Sequence, residues 1–431
     1  MKLVVLGLGQ VGIPLAVAFA GEGHEVVGID IDPRKVEAIN GGTNPLPTRE
    51  EDLDRLLGRA VESGALLATS EYDPIGEAEA IFVCVDTPVD ATGRPDYAAL
   101  RDVLTGIASR LQSGVLISIE STLAPGTMED LVRPLLEQGS GMRVHKDFHL
   151  VHCPERVTSG KLLYNLTHMN RVVGGNDPEA RSRAVELYAE IGHGNLLETD
   201  WTSAELSKTV ENAYRDVQLA FANEVALICE EVGVDAFAVR ELVNSSPGRA
   251  MLRPGPGVGG HCLSKDSLLL ASAARNDVRL LTSARNVNEG MLNHVVTLIE
   301  QALATQSADL SSATVVLLGA AYKANVADTP NSPALAIAPI LEEKGANVRI
   351  HDPHVEEREG VDLRRDLGEA MGRADCVVLV TDHDAYQDLD WGTLGEGMRH
   401  RLVVDCRGAL GEEDLAQYGF GYVGLGRGSG G

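Results

Sequence analysis

The stretch KLVVLGLGQVGIPLAVAFAGEGHEVVGIDID, residues 2–32, predicts a strand, a glycine turn, a helix and a second strand. Gly7, Gly9 and Gly12 form a GxGxxG pattern directly after the first strand, and Asp30 follows the second strand. In a βαβ unit the first glycine permits the tight turn, the second lets the backbone approach a pyrophosphate, and the third lets helix and strand pack closely. Backbone N–H groups at the helix N-terminus bind the phosphates, and an acid rather than a base at position 30 favours NAD over NADP. An unliganded glycine turn in an α/β fold is the alternative.

The chain is therefore predicted to start with an NAD-binding Rossmann domain. The residues expected to contact the cofactor in this segment are Gly7, Gly9, Gln10, Val11, Gly12, Asp30 and Arg34. Further strands are predicted within residues 80–88, 114–127 and 149–157. Because ligands bind at the carboxyl ends of strands in an open α/β sheet, the polar residues there are expected at the nicotinamide side of the site, although each alone is also typical of a turn. These residues are Thr87, Pro88, Glu120, Ser121, Thr122 and Glu155.

A long helix is predicted from about Thr202 to residue 232, where apolar residues recur at helical spacing without a glycine. Lys208 and Asn212 lie four residues apart and therefore share one helix face. An exposed polar stripe is the ordinary interpretation of such a pair. However, the chain has only eight lysines among 37 basic residues. Since Lys208, Lys265 and Lys323 all fall within candidate motifs, a compact amine with an adjustable pKa is indicated there.

The segment PGPGVGGHCLSKD, residues 254–266, places Cys262, Lys265 and Asp266 on a glycine-rich loop. The six cysteines show no CxxC pair and no regular spacing, which argues against a disulfide framework and against a metal site. They are predicted to be reduced thiols in a cytoplasmic protein.

A second α/β pattern begins after about residue 305, with strands predicted within 314–323, 346–353, 374–384 and 401–408. This part lacks a full GxGxxG, so a second dinucleotide site is not expected. The predicted fold class is α/β. Its domains are an NAD-binding Rossmann domain at 1–200, a central helical dimerisation domain at 201–305, and a C-terminal Rossmann-like domain at 306–431, and two α/β domains suit a substrate that carries its own nucleotide.

The formal charge of −26 argues against nucleic acid and anionic membranes as partners, because both are repelled at long range. An acidic surface with few lysines suggests a halophilic, intracellular protein, and an ordinary acidic protein is the alternative. The apolar N-terminal run resembles a short signal peptide, but its glycines interrupt the run, so secretion is not expected. No stretch approaches the roughly 18 uninterrupted apolar residues of a membrane helix.

The motifs together resemble the nucleotide-sugar dehydrogenases, which oxidise the C6 alcohol of a UDP- or GDP-sugar to a uronate. The resemblance covers essentially the whole chain, through GLGQVG, DTP, ESTLAPGT, CPERV, ELSKTVEN, GPGVGGHCLSKD, AAYKANVADTPNSPA and HDP in this order. It implies an NAD-dependent oxidoreductase of polysaccharide biosynthesis, with a UDP-sugar-binding C-terminal domain at 306–431. It also implies that the Cys262 thiol traps the intermediate aldehyde as a thiohemiacetal, which a second hydride transfer converts to a thioester. A buried apolar cysteine is the alternative, for which the neighbouring glycines, Lys265 and Asp266 are a poor setting.

The resemblance further implies that Lys208 and Asn212 stabilise the alkoxide and the later oxyanion, with Lys208 as a base for the alcohol proton. Asp266 would assist through an ordered water, and Glu155, with Glu120 and Thr122 nearby, would activate the hydrolytic water. Lys265 is expected at the cofactor. The residues expected at the substrate are Glu155, Arg156, Lys161, Lys208, Asn212, Gly259 and Lys323.

Two positions depart from the family pattern. A glutamate common in UDP-glucose members is Ser159 here, and the arginine of the DxRxSP motif is Pro330. Arg253 or Arg407 is considered as a substitute for that arginine.

The CPERV and GVGGHC motifs resemble the N-acetylhexosamine branch, whereas SKD resembles UDP-glucose members. The substrate favoured by family analogy is therefore UDP-N-acetyl-D-mannosamine or a related UDP-HexNAc, with UDP-glucose as the alternative. A two-electron hydroxyacid dehydrogenase and a non-catalytic nucleotide-sugar-binding protein remain as other classes.

Homodimerisation is predicted through the long helix, because its apolar surface is wider than one domain needs to cover. The residues assigned to this surface are Leu206, Val210, Ala213, Val217, Ala220, Val225 and Cys229.

Overall fold

The computed structural model describes residues 1–47, 49–356 and 360–428. The chain forms two compact units. The first comprises Met1–Asn212 and Lys265–Asn276, and the second comprises Ala213–Ser264 and the described residues from Asp277 onward. The division into three domains at 1–200, 201–305 and 306–431 stays a prediction.

The first unit contains a sheet flanked by helices. Its strands are β1 Lys2–Leu6, β2 Glu25–Ile29, β3 Leu66–Thr69, β4 Ala80–Val83, β5 Leu116–Ile119, β6 His149–His152, β7 Arg171–Gly174 and β8 Leu196–Thr199. Its helices are α1 Gly12–Gly21, α2 Pro33–Asn40, α3 Glu51–Glu62, α4 Ala98–Ala108, α5 Arg133–Ser140, α6 Leu162–His168 and α7 Pro178–Ile191. The strand order is β3-β2-β1-β4-β5-β6-β7-β8, in which β6 and β7 are antiparallel and the other pairs are parallel.

Burial on both faces explains why the central strands of this sheet, such as β1 and β4, are almost entirely apolar. Leu3 and Val5 of β1 join the core beneath α1, α3 and α7, whereas Val4 and Leu6 join the core beneath α4 and α5. Successive side chains of a strand point to opposite faces, so a strand covered on both sides is apolar throughout. The carboxyl ends of β1, β4, β5 and the neighbouring β6 consequently lie along one edge of the sheet.

The helices that follow the first sheet are α8 Trp201–Val232, α9 Ala236–Asn244, α10 Leu263–Ser272 and α11 Arg279–Ala304. Helix α8 spans 32 residues, as the unbroken apolar periodicity predicts. Asp235 caps α9 by accepting hydrogen bonds from the backbone N–H groups of Phe237 and Ala238.

The second unit contains a smaller parallel sheet. Its strands are β9 Thr314–Leu318, β10 Asn347–His351, β11 Leu363–Arg364, β12 Cys376–Leu379, β13 Leu402–Asp405 and β14 Gly421–Gly424, in the order β11-β10-β9-β12-β13-β14. Its remaining helices are α12 Pro333–Glu343, α13 Leu367–Met371, α14 Trp391–Glu396 and α15 Glu412–Ala416. Val315 and Leu317 of β9 pack towards α11 and α12, and Val316 and Leu318 towards the opposite layer. The predicted α/β class, with an N-terminal Rossmann sheet, a central helical region and a C-terminal Rossmann-like sheet, is confirmed.

Candidate active site

The glycine turn after β1 has the geometry that a bound pyrophosphate needs. Gly7 has φ +91°, and a Cβ there would lie 2.8 Å from the carbonyl oxygen of Cys84. A Cβ on Gly12 would lie 1.9 Å from the carbonyl oxygen of Gly7, whereas no atom among the described residues lies within 4 Å of a Cβ on Gly9. The open side of Gly9 and the N-terminus of α1, which no described side chain caps, therefore suit a dinucleotide phosphate.

Asp30 connects the end of β2 to this turn. Its Oδ2 accepts a hydrogen bond of 2.8 Å from the backbone N–H of Leu8, and its Oδ1 accepts one from Asp32 N at 2.9 Å. Lys35 Nζ lies 3.5 Å from Asp30 Oδ2. Arg34, predicted at the cofactor, is exposed and pairs with Asp32 at 2.9 Å. The carboxylate of Asp30 thus holds the glycine turn by a hydrogen bond, and it lies where the ribose of the cofactor is expected.

The loops after β4 and β5 are bound to each other. Thr87 Oγ1 donates to the carbonyl oxygen of Thr122 at 2.6 Å, and Ser121 Oγ donates to the carbonyl oxygen of Val85 at 2.6 Å. Thr87, Ser121 and Thr122 are buried, while Pro88 is exposed. The predicted strand-end residues thus form one continuous edge.

Lys208 and Glu155 form a buried ion pair. Lys208 Nζ on α8 lies 3.2 Å from Glu155 Oε1, and only 7% and 9% of the two side chains are exposed. The backbone N–H of Val157 donates to Glu155 Oε2 at 2.6 Å, which fixes the carboxylate. Because a buried charge is costly unless it is paired and hydrogen-bonded, this pair marks a site rather than an exposed helix stripe.

Asn212 and Asp266 lie next to that ion pair. Asn212 Nδ2 donates to Asp266 Oδ2 at 2.5 Å, and Lys265 Nζ lies 3.4 Å from Asp266 Oδ1. Burial raises the pKa of the Asp266 carboxyl, against the opposing effects of Lys265, Asn212 and Lys208. The site therefore brings a lysine ammonium, an amide and two carboxylates together in a poorly solvated environment.

Lys265 also reaches the loop after β4, a contact that sequence reasoning did not identify. Its Nζ donates to the carbonyl oxygen of Thr87 at 3.0 Å. Ser159, which stands in place of a family glutamate, donates through Oγ to Gln10 Oε1 at 3.2 Å, so the predicted cofactor and substrate segments touch here. Arg156 pairs with Glu211 on α8 at 3.0 Å, and Lys161 is exposed immediately before α6.

Glu120 has partners that sequence reasoning missed. Its side chain is fully buried, Arg171 donates to Oε2 at 2.7 Å, Ser118 donates to Oε1 at 2.8 Å, and the Tyr188 hydroxyl donates to the same oxygen. The Arg171 guanidinium also lies over the Tyr188 ring, 4.5 Å from its centroid. The available signal was an arginine that begins an otherwise apolar strand, RVVG.

Cys262 lies immediately before α10, within the second unit, and its side chain is partly exposed. Three residues earlier, a Cβ on Gly259 would lie 2.4 Å from Tyr322 Cβ, so only glycine fits against the turn that carries Lys323. Arg253 donates to the carbonyl oxygen of Arg407 at 3.1 Å, and Arg407 Nε donates to Asp382 at 3.0 Å. The two arginines considered as substitutes at Pro330 are thus neighbours.

In the described part of the chain, no group of three or more His, Cys, Asp or Glu side chains is arranged to hold a metal ion. No helix there is long and apolar enough to cross a membrane.

Three family models match consecutive segments of the chain. They describe the NAD binding domain of the UDP-glucose/GDP-mannose dehydrogenase family at residues 1–192, the central domain at 202–290 and the UDP binding domain at 316–412.

Individual relatives match over the full length. The UDP-N-acetyl-D-mannosamine dehydrogenase of Pyrococcus horikoshii is 36% identical over 428 residues, covering 99% of this chain and 100% of the relative, and the solved structure from that organism has a TM-score of 0.93 over the same shares. An NDP-N-acetyl-D-galactosaminuronic acid dehydrogenase of Ralstonia solanacearum is 35% identical over 96% of this chain and 97% of its own. The solved UDP-glucose dehydrogenase of Pyrobaculum islandicum is 29% identical, with a TM-score of 0.88 over 99% and 98% of the two chains. Because the matches cover all three domains and the cofactor turn suits a dinucleotide, the chain belongs to the UDP-glucose/GDP-mannose dehydrogenase family of NAD-dependent nucleotide-sugar dehydrogenases.

Proposed function

We propose that the protein oxidises the C6 alcohol of UDP-N-acetyl-D-mannosamine to the uronate in two steps, with a covalent intermediate on Cys262. The observation that carries this proposal is the cluster of buried Lys208, Glu155 and Asp266 with the partly buried Asn212. Such a cluster suits a reaction in which an alcohol loses a proton and negative charge develops on the substrate oxygen twice, first in the alkoxide and later in the tetrahedral oxyanion. NAD, when bound, would accept one hydride, so each sugar uses two NAD molecules in succession.

Lys208 and Asn212 act on the oxygen at C6. Lys208 takes the hydroxyl proton after its ammonium has released a proton to solvent, and the N–H donors of Lys208 and Asn212 then stabilise the alkoxide. Asn212 can serve here because its amide has two N–H groups and Asp266 accepts only one of them. Lys265 is held between Asp266 and Thr87, and we assign it to the cofactor side.

The Cys262 sulfur then adds to the aldehyde carbon. The thiol proton moves to the aldehyde oxygen as the S–C bond forms, which gives a thiohemiacetal. Loss of its hydroxyl proton and of the second hydride gives a thioester, and water displaces the thiolate to release the carboxylate. Glu155 takes the proton of that water. We assign Glu120 to holding the loop after β5, with Thr122, rather than to water activation, because Arg171, Ser118 and Tyr188 already bind its carboxylate.

The sugar is assigned from the relatives and from the motifs. The names of the Pyrococcus and Ralstonia relatives refer to N-acetylated amino sugars. Both relatives are more similar in sequence to this chain, at 36% and 35% identity, than the Pyrobaculum UDP-glucose dehydrogenase at 29%. Gly259, Lys323, Arg156 and Lys161 are the proposed substrate contacts, with Arg253 and Arg407 as basic groups available in place of the arginine absent at Pro330. UDP-glucose is the alternative substrate.

We also propose a homodimer that works in a salty cytoplasm, where its product supplies polysaccharide synthesis. No disulfide joins any of the six cysteines, all of which lie in the described residues, and this suits a reducing compartment. The apolar side chains exposed along α8 support the dimer, and the charge of −26 supports the adaptation to salt.

The test is a panel of UDP-ManNAc, UDP-GlcNAc, UDP-Glc and GDP-Man at molar salt, with NADH counted per sugar consumed. Two NADH per UDP-ManNAc are expected, whereas one would indicate a two-electron dehydrogenase and none a binding protein.

Cys262→Ala should keep NAD and sugar binding but lose uronate formation, because the thiol contributes to the intermediate rather than to ground-state recognition. Cys229→Ala, a buried cysteine of α8, is the matched control. Uronate formation by Cys262→Ala at near the wild-type rate would contradict the thiol mechanism.

A further inference from the structure

The loop that carries Cys262 needs to be held by something other than its own residues. Between Pro254 and Cys262 it has four glycines, of which Gly257 has φ +138° and Gly260 has φ +92°. Glycine loses more conformational freedom on ordering than any other residue. The loop also borders a cavity of about 300 Å³ through Val258, so packing alone does not fix it.

A buried relay of polar side chains holds the start of this loop. The backbone N–H of Gly255 donates to Asn223 Oδ1 at 2.9 Å, and Asn223 Nδ2 donates to Asn288 Oδ1 at 2.9 Å. Asn288 Nδ2 in turn donates to Asp216 Oδ1 at 2.8 Å and to the carbonyl oxygen of Asp216 at 3.1 Å. The three side chains are at most 2% exposed, so a broken link would leave buried polar groups unsatisfied.

Asp216 sets the direction of the relay. Its carboxylate accepts a hydrogen bond of 2.9 Å from Arg285 Nη1, and both groups that face Asn288 are acceptors. Asn288 must therefore present its amide nitrogen to Asp216 and its oxygen to Asn223. Asn223 in turn presents its nitrogen to Asn288, which leaves its oxygen for the N–H of Gly255.

A second clamp holds the other end of the loop. Gly260 N donates to the carbonyl oxygen of Pro330 at 2.9 Å, and Asn331 Nδ2 donates to the carbonyl oxygen of Gly260 at 3.0 Å. Asn331 has φ +50°, a left-handed conformation that asparagine tolerates better than most residues. These residues lie in the DTPNSP segment, where Pro330 replaces the family arginine.

We propose that Asn223 is a positioning residue for Cys262, acting through Gly255, and that Asp216 orients it through Asn288. This inference rests on the proposed function, in which the thiol must meet an aldehyde before the aldehyde escapes. Placement matters because an error of about 1 Å in a reacting group costs about a hundredfold in rate. A displaced loop consequently lets the aldehyde leave and leaves the first oxidation intact.

The test measures how the intermediate partitions. NADH per UDP-sugar and aldehyde captured by an aminooxy probe are recorded for the wild type and for Asn223→Leu at saturating NAD. Asn223→Leu should move the ratio from two NADH towards one and raise captured aldehyde at least about tenfold, in proportion to the slower capture by the thiol. A loss of folded protein lowers both oxidations equally and does not change the ratio. Asn293→Leu, an exposed asparagine of α11, is the control expected to keep the ratio at two.

A charge-exchange pair tests the direction of the relay. Asn223→Asp should release aldehyde because the new carboxylate faces the Asn288 side-chain oxygen, so that two hydrogen-bond acceptors oppose each other. Asp216→Asn should release less aldehyde, because it removes only the carboxylate that fixes the orientation of the Asn288 amide. The double variant carries the carboxylate at 223 and the amide at 216, so the two side chains can bond to Asn288 in the reversed direction, whereas the backbone carbonyl of residue 216 still needs a donor. Its ratio should therefore recover part of the way towards two, above that of Asn223→Asp.

The outcomes separate the two proposals. If the wild type forms no uronate from any UDP-sugar, the proposed function is wrong. If the wild type forms uronate with two NADH while Asn223→Leu keeps that ratio, or if the double variant partitions no better than Asn223→Asp, the positioning role is wrong.

Discussion

His152 illustrates how strongly a single buried side chain responds to its surroundings. It ends β6, is fully buried, and its Nδ1 bonds to the carbonyl oxygen of Ile119 at 2.9 Å, while Nε2 has no hydrogen-bond partner among the described residues. Burial lowers its pKa from 6.5 to about 4, against the hydrogen bond to Ile119. The neutral ring is therefore the form that the fold accepts.

This shift predicts a loss of stability in acid. Below pH 6.5 this histidine binds a proton in the unfolded chain but not in the folded chain. The contribution of the neutral ring to the free energy of unfolding is therefore fully present above pH 6.5 and is lost as the pH falls towards 4, by up to about 3 kcal/mol. His152→Gln keeps an amide donor for Ile119 but does not titrate, so its urea unfolding free energy should fall less between pH 6.5 and 4 than that of the wild type. His168→Gln, at an exposed histidine, is the control. Equal pH slopes for the wild type and His152→Gln would contradict the assignment.

At the scale of the element, α8 has two different apolar faces. Ala213, Ala220 and Cys229, which sequence reasoning placed on a surface for a partner, are at most 4% exposed in the structure because they pack within their own chain. Leu206 and Val210, also assigned to that surface, are exposed, and the other exposed apolar residues of the helix are Tyr214, Phe221, Ile228 and Val232. Tyr214, Phe221 and Ile228 recur at seven-residue intervals, the spacing of a helix–helix seam.

Disrupting this seam should dissociate the proposed dimer. Phe221 is 58% exposed, so Phe221→Arg should leave the fold intact and place a charge opposite its copy. Light scattering at micromolar concentration in high salt should give a dimer for the wild type and a monomer for Phe221→Arg. Gln301→Arg, exposed on α11, adds the same charge elsewhere and should remain dimeric. A monomeric wild type would refute the assembly.

For the molecule as a whole, the net charge of −26 dominates the long-range electrostatics. Self-repulsion of this size opposes the compact state, and salt screens it as the Debye length falls from about 10 Å at 0.1 M to about 3 Å at 1 M. The melting temperature and the activity should therefore both rise from dilute buffer to molar KCl. Sucrose at equal osmolality, which does not screen charges, is the control for stabilisation by any solute that is excluded from the protein surface. A protein that is indifferent to KCl would show that its acidity is unrelated to salt.

The sequence by itself determined the features that local patterns encode. The βαβ unit at 2–32, the 32-residue helix and the second sheet follow from strand and helix periodicity and from glycines at turns. Lys208 and Asn212 were predictable as a pair because they are four residues apart on one helix. Cys262, Lys265 and Asp266 were singled out because cysteine and lysine, both rare in this chain, stand with an aspartate in one glycine-rich loop.

The tertiary structure decided which distant side chains meet. Glu120 and Arg171 are 51 residues apart, and Asn223 and Asn288 are 65 apart. It also decided which apolar face of α8 is buried. Periodicity specifies that a strand or helix forms and which residues share a face, whereas the partner of a buried polar group depends on strand order and on the packing of whole helices. Buried polar groups require partners wherever the fold brings them, and that requirement is satisfied only after the long-range packing has formed.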